Sequence, residues 1–282
     1  MILDRNALQQ NVVDACELDV QAIKPGNIRV DSPAYAMSAQ DFFASARAIA
    51  APITAPDLNI GERIFGAIEA TRGAVNCNTN LGIVLLLAPL IQAAQRADDF
   101  QSLQSELKTV LMDLTIGDAD SAYRAIRLAK PGGMGESAQH DIAQTPTVTL
   151  YQAMQEAAAR DQIARLYTTG YEDLWVRALP IWRQSLARWQ SKEWAATAIF
   201  LSTLSAQADT LITRKFGIEK SKAVSATAKT QWQAFESAHD PIDFRDALLS
   251  WDSELKANGL NPGTTADITV ATIFVAGLQV RG

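Results

Sequence analysis

GAVNCNTNLGIVLLLAPL (residues 73–90) sets Asn76, Asn78, Thr79 and Asn80 directly in front of a run of aliphatic side chains from Leu81 to Leu90. A bilayer span needs roughly 20 apolar residues, and this run is too short. A helix apolar on every side belongs instead inside a protein, so the tract predicts a core helix, kinked at Pro89. One asparagine would serve to cap the first N–H groups of that helix. Three asparagines and a threonine are more than a cap requires, which points to a polar ligand facing the start of the helix.

Working outward, helical spacing dominates, and no period-2 strand flanked by hairpin turns stands out. A first helix covers about 4–23 and stops at Pro25-Gly26. Ser38 reads as the N-cap of a helix that ends before Pro52, and Asn59 as the cap of the next. Further helices are expected near 100–114, 118–129, 147–166, 171–190, 193–215, 219–236, 241–257 and 264–280. The stretch KPGGMGESAQHDIAQTP between them reads as a loop. The expected fold is all-α, a single globular domain of about a dozen helices over 1–282. Trp175, Trp182 and Trp189 recur every seven residues and share a helix face. That stripe fits core or subunit packing, and a homodimer is compatible with it.

The formal charge of −6 and the lack of a basic stripe with interleaved aromatics exclude a nucleic-acid surface. They also mean that a polyanionic ligand needs local Lys/Arg or a divalent metal. Cys16 and Cys77, far apart and without a secretory signal, suggest reduced thiols and a cytoplasmic protein that does not enter a membrane. Two Cys and two His do not make a zinc set, and the sequence contains neither a Walker A loop nor a dinucleotide glycine fingerprint.

Five polar clusters break or begin helices: KPGNIRVD with Lys24, Asn27 and Asp31; the asparagine knot, preceded by Glu62; GGMGESAQHD with Glu136 and His140; ADTLITRKFG with Asp209, Thr210, Arg214 and Lys215; and NPGTTAD with Asn261, Thr264 and Asp267. Each has an ordinary reading. Thr264 and Asp267 fit a variant capping box, and Asp209 with Arg214 a surface ion pair. Together they suit a phosphorylated ligand, because helix starts supply N–H donors and oxygen ligands can hold Mg²⁺ against phosphates.

In this order the clusters resemble the triphosphoribosyl-dephospho-CoA synthase family. Lys24-Pro25-Gly26 with Asp31 is similar to its K-P-G…D element, and Asn78-Thr79-Asn80-Leu81-Gly82 to N-T-H-K-G. Gly133-Met134-Gly135-Glu136 resembles G-x-x-G-E, Asp209-Thr210 with Arg214 and Gly217 resembles D-T-N…R-x-G, and Asn261-Pro262-Gly263 with Asp267 resembles S-P-G-G-S-A-D-L. Asn80 and Leu81 stand where the motif carries His and Lys.

The resemblance implies an all-α transferase that joins the ribose of ATP to a hydroxyl of dephospho-CoA and releases adenine. Under it, Glu62, Glu136, His140 and Asp209 are the catalytic candidates, and Asp31, Glu62, Asp209 and Asp267 the candidates for Mg²⁺. Lys24, Asn27, Asn78, Thr79, Asn80, Thr210, Arg214, Lys215, Asn261 and Thr264 would bind substrate. Carboxylates near ribose C1 would stabilise the positive charge developing there. The departure at Asn80-Leu81 opens a second reading, a ribosyl-phosphate transferase for a methanopterin-type one-carbon carrier, with phosphoribosyl pyrophosphate as donor. A helical binding protein without catalysis is the alternative of another class.

Overall fold

A computed structural model describes residues 3–131 and 142–281. They form a single all-α assembly of fourteen α-helices with no strand among the described residues. The apolar tract becomes α4 (Leu81–Arg96), buried along nearly its whole length. Before it come α1 (Arg5–Gln21), α2 (Ala39–Ile53) and α3 (Ile60–Ala74). Ser38 and Asn59 cap α2 and α3 as expected, each through a reciprocal capping box with Asp41 and Glu62. Pro52 lies in the last turn of α2 rather than beyond it. There α5 (Leu103–Met112) packs on α4 and α6 (Ile116–Ala129) on α3.

The second half departs from the expected boundaries in two places that matter. The helix expected at 147–166 is two, α7 (Leu150–Ala157) and α8 (Gln162–Thr169), divided by Asp161, whose carboxylate caps α8. The helix expected at 193–215 is also two, α10 (Lys192–Ala206) and α11 (Thr210–Phe216), divided by the N-cap Asp209. Between these pairs, a π-helical turn at Leu174–Ala178 leads into α9 (Leu179–Trp189). After them come α12 (Ile218–Glu236), α13 (Arg245–Ala257) and α14 (Gly263–Arg281). In α14 the buried Thr269 and Thr272 donate their hydroxyls to carbonyls four residues back, which lets a Thr-rich helix sit inside the core. It packs on α1, α4, α9 and α10. The tryptophan stripe is packed: Trp182 is buried in the main core, Trp175 packs beside it, and Trp189 meets Phe235 edge to face.

Pro89 has no N–H, so the carbonyl of Leu85, four residues earlier, loses its helical partner. The buried Tyr167 hydroxyl of α8 fills that vacancy at 2.6 Å, and Tyr171 donates to the next carbonyl, Leu86, at 3.1 Å. Tyr167→Phe should therefore cost about 1–3 kcal/mol by leaving a buried carbonyl unsatisfied. The loss should shrink in a Pro89→Ala background, where residue 89 regains its N–H; equal losses in both backgrounds, measured by urea denaturation, would contradict this account.

Candidate functional site

A cavity of ≈ 620 Å³ opens where α4, α11 and α14 meet α8. The asparagine knot forms one wall, and its amides have separate duties. Asn78 Oδ1 accepts from the N–H of Leu81, capping α4. Thr79 donates to Ser45 of α2 at 2.7 Å, and Asn80 Oδ1 accepts from Thr71 of α3 at 3.1 Å. Asn76 is exposed. The excess of polar groups is thus mostly structural, except that Asn80 Nδ2 is buried without a hydrogen-bond partner.

The turn after α1 supplies a second wall. Gly26, at φ +82°, packs so closely on the carbonyl of Leu260 that an added Cβ would lie 2.6 Å from it. Glycine is the residue that accepts both conditions. This contact seats Asn27 against Asn261, whose Oδ1 accepts from Asn27 Nδ2 at 2.9 Å. Lys24 is 2 % exposed and lies behind the wall, donating to Asp19 Oδ2 and Asn27 Oδ1, both at 2.6 Å. It is a strut, not a direct contact for a ligand as expected.

α14 contributes Thr264 and Asp267 to the lining, and the turn before it contributes Asn261. Asp267 abuts α4 where residue 82 has no side chain: a Cβ there would sit 2.0 Å from Asp267 Oδ2. Gly82→Ala should accordingly displace the Asp267 carboxylate and abolish ligand binding in a titration, with little change in helicity by circular dichroism. Wild-type affinity in that variant would refute the contact's importance.

Arg214 and Lys215, at the end of α11, also line the cavity. Arg214 pairs with Asp161 at 2.5 Å, not with Asp209. Asp209 is fully buried, with both oxygens occupied: Oδ1 accepts from the N–H groups of Leu211 and Ile212, and Oδ2 from the N–H and hydroxyl of Thr265. It does not line the cavity. Thr210 is likewise structural, accepting from the N–H of Gln162 and donating to Thr264 Oγ1.

The four acids expected to share Mg²⁺ do not converge. Asp31 is an exposed partner of Arg29, and Glu62 is exposed and spent on its capping box. With Asp209 buried in helix capping, only Asp267 reaches the cavity. No group of three or more metal-capable side chains occurs among the described residues. Glu62 and Asp209 are therefore set aside as catalytic groups too. Glu136 and His140 lie outside the described residues.

Sequence reasoning missed Asp19, which is 2 % exposed, lines the cavity, and has one oxygen, Oδ1, without a hydrogen-bond partner. It also missed Asp161, hidden inside a segment read as one helix. Burial raises the pKa of Asp19, with Lys24 pulling against it. Burial raises Asp267 further, helped by the negative charges of Asp19 and Asp209 and opposed by Lys24 and Arg214. An acid whose folded pKa exceeds its unfolded value, near 3.9, contributes fully to stability below that pH and loses the contribution as pH rises. Asp267→Asn should thus stabilise the protein at pH 7, where the unfolded carboxyl is ionised and the folded one resists losing its proton. The gain should vanish below about pH 4, and pH-dependent thermal unfolding reads both outcomes.

Apolar side chains also line the cavity, among them Phe42, Leu85, Tyr123, Ile126, Leu150 and Met154. One cavity thus offers amides, acids and cations together with aromatic and aliphatic surface, the usual mixture in a site for a small organic ligand. No helix among the described residues is long and apolar enough to cross a membrane.

The chain was compared with known proteins. A search of curated proteins found no match. Among solved structures, one from Archaeoglobus fulgidus, described as a candidate triphosphoribosyl-dephospho-CoA synthase, superposes with a TM-score of 0.63. It is 22 % identical and the match covers 85 % of this chain and 98 % of that one, a likeness of fold. The model of the CitG family, ATP:dephospho-CoA triphosphoribosyl transferase, matches residues 5–282. With the match running through every wall of the cavity, this chain belongs to that family of transferases.

Proposed function

We propose that the cavity transfers a phosphorylated ribosyl group from a nucleotide-type donor, ATP by family default, to a hydroxyl of an acceptor, dephospho-CoA by the same default. The observation that carries this reading is the convergence of Asn27, Asn78–Asn80, Arg214–Lys215 and Asn261–Thr264, from four distant stretches, on one lining. The starts of α4 and α14 direct their N-terminal partial positive charge toward it, which suits phosphate. The amides suit ribose hydroxyls, and the apolar surface suits a purine or the acceptor's aliphatic arm. Nearby carboxylates favour the positive charge that grows on the ribose ring as its bond to the leaving group stretches.

Charge on the lining bears on the donor. Among the described lining residues Arg160, Arg214 and Lys215 face Asp19, Glu156, Asp161 and Asp267, so the protein supplies no surplus of positive charge for a bare triphosphate. Mg²⁺ then accompanies the donor's phosphates, held by them and by water, with no group of three or more metal-capable side chains among the described residues to cage it. Leu81, buried on the lining beside Asn80 where the family motif carries a lysine, gives the second reading its support: phosphoribosyl pyrophosphate as donor, serving a methanopterin-type carrier. Incubation with each donor and dephospho-CoA or a ribitol-bearing acceptor separates the two. Adenine release with dephospho-CoA supports the first, pyrophosphate release with the ribitol acceptor the second, and neither product overturns both.

A further inference from the structure

Two acids on the lining are not consumed by structure. Asp161 has both oxygens engaged, by the α8 N–H groups and by Arg214. Asp19 has a fixed oxygen and an unpartnered one: Oδ2 is held by Lys24 at 2.6 Å, while Oδ1 has no partner. Lys24 is itself held by Asn27, and Asn27 holds Asn261, so the carboxylate is tied to the far wall through one continuous network. Asp267 lies against the Gly82 backbone and makes no ion pair among the described residues.

We propose that these two divide the proton traffic of the transfer: Asp19 accepts the proton of the acceptor hydroxyl, and Asp267 donates one to the departing group. The inference rests on the transfer reading above and deepens it. As the acceptor oxygen forms its bond to ribose C1, its proton passes to Asp19 Oδ1. The bond from C1 to the leaving nitrogen breaks, its electron pair stays with the nitrogen, and the proton of Asp267 neutralises it. The balance is acceptor hydroxyl plus ribosyl donor giving ribosyl ether plus protonated leaving base, and solvent exchange resets the two carboxyls.

The surroundings give each acid its role. Asp19 has the Lys24 ammonium in contact at 2.6 Å, which favours its ionised form relative to Asp267. Asp267 sees the carboxylates of Asp19 from α1 and Asp209 from the start of α11, with Lys24 and Arg214 as opposing cations, and it holds its proton more tightly. Paired acids with divergent environments are how one site runs acid and base chemistry at one pH.

The test combines infrared spectroscopy and kinetics on the full chain. At neutral pH the wild type should show a protonated carboxyl band that D267N lacks. With ATP and dephospho-CoA, D19N should lose roughly 10²–10⁴-fold in kcat, the usual size of general-base loss, while KM for ATP changes little. D19E should recover part of that rate, and D267N should lose the alkaline limb of the pH profile. Should D19N not fold, the comparison of D19E with wild type carries the kinetic test. A band unchanged in D267N overturns the acid assignment. Wild-type turnover in D19N, or in D19E where that variant must serve alone, overturns the base assignment. A wild type without turnover on ATP with dephospho-CoA and on phosphoribosyl pyrophosphate with a ribitol-bearing acceptor overturns the transfer reading, and the base assignment with it, whereas the infrared result stands apart from substrate.

Discussion

Replacing Asp209 by alanine should destabilise the protein by about 4 kcal/mol, one of the two large losses expected from polar substitutions near the site. Its carboxylate is the sole cap recorded for α11 and also accepts from the backbone and hydroxyl of Thr265, 56 residues later, all at 2.8–3.1 Å. Loss of an N-cap alone costs about 1 kcal/mol, and stranded buried donors add about 1–3 kcal/mol each, less whatever the site relaxes. Because α11 carries Arg214 and Lys215 and the start of α14 carries Thr264 and Asp267, the substitution should also loosen two cavity walls at once. Urea denaturation gives the stability loss. A change below about 1 kcal/mol would show that the four bonds are easily replaced.

The second large effect is expected at Lys24. Lys24→Met should cost about 3–5 kcal/mol at neutral pH, since it strands the buried Asp19 carboxylate. The double variant D19N/K24M should recover a good part of that loss, because the uncompensated charge is gone. Lowering the pH should also reduce the K24M penalty, as Asp19 takes up a proton in its place. If K24M is no less stable than wild type, or the double variant is worse than the sum of the singles, the ion pair is not what holds the turn after α1.

Both residues also show why some of the molecule was legible in the sequence and some was not. Ser38, Asn59 and the Pro25-Gly26 pair announce helix ends through local chemistry alone, and the structure places ends at or within a few residues of them. Asp161 and Asp209 also cap helices, yet each sits in a stretch whose apolar spacing runs on without a breaker. One oxygen of each makes the local cap, while the other is fixed by a partner elsewhere in the chain, Arg214 for Asp161 and Thr265 for Asp209. The same ambiguity misled the assignment of metal ligands, because an acid at a helix start serves equally well as a cap or as a ligand. Glu62 and Asp209 proved to be caps. Asp19 falls on the buried face of α1 together with Leu8, Val12 and Ala15, and only the fold brings it to the cavity beside Asp267.

The claim on which the rest depends is that this cavity binds a phosphorylated ribosyl donor. Calorimetric titration of Mg-ATP into wild type and into Gly82→Val tests it most directly, because a side chain at 82 would occupy the place of the Asp267 carboxylate. The account predicts one binding site in the wild type and none in the folded variant. No binding to wild type by ATP or by phosphoribosyl pyrophosphate, or equal binding to both proteins, would contradict it.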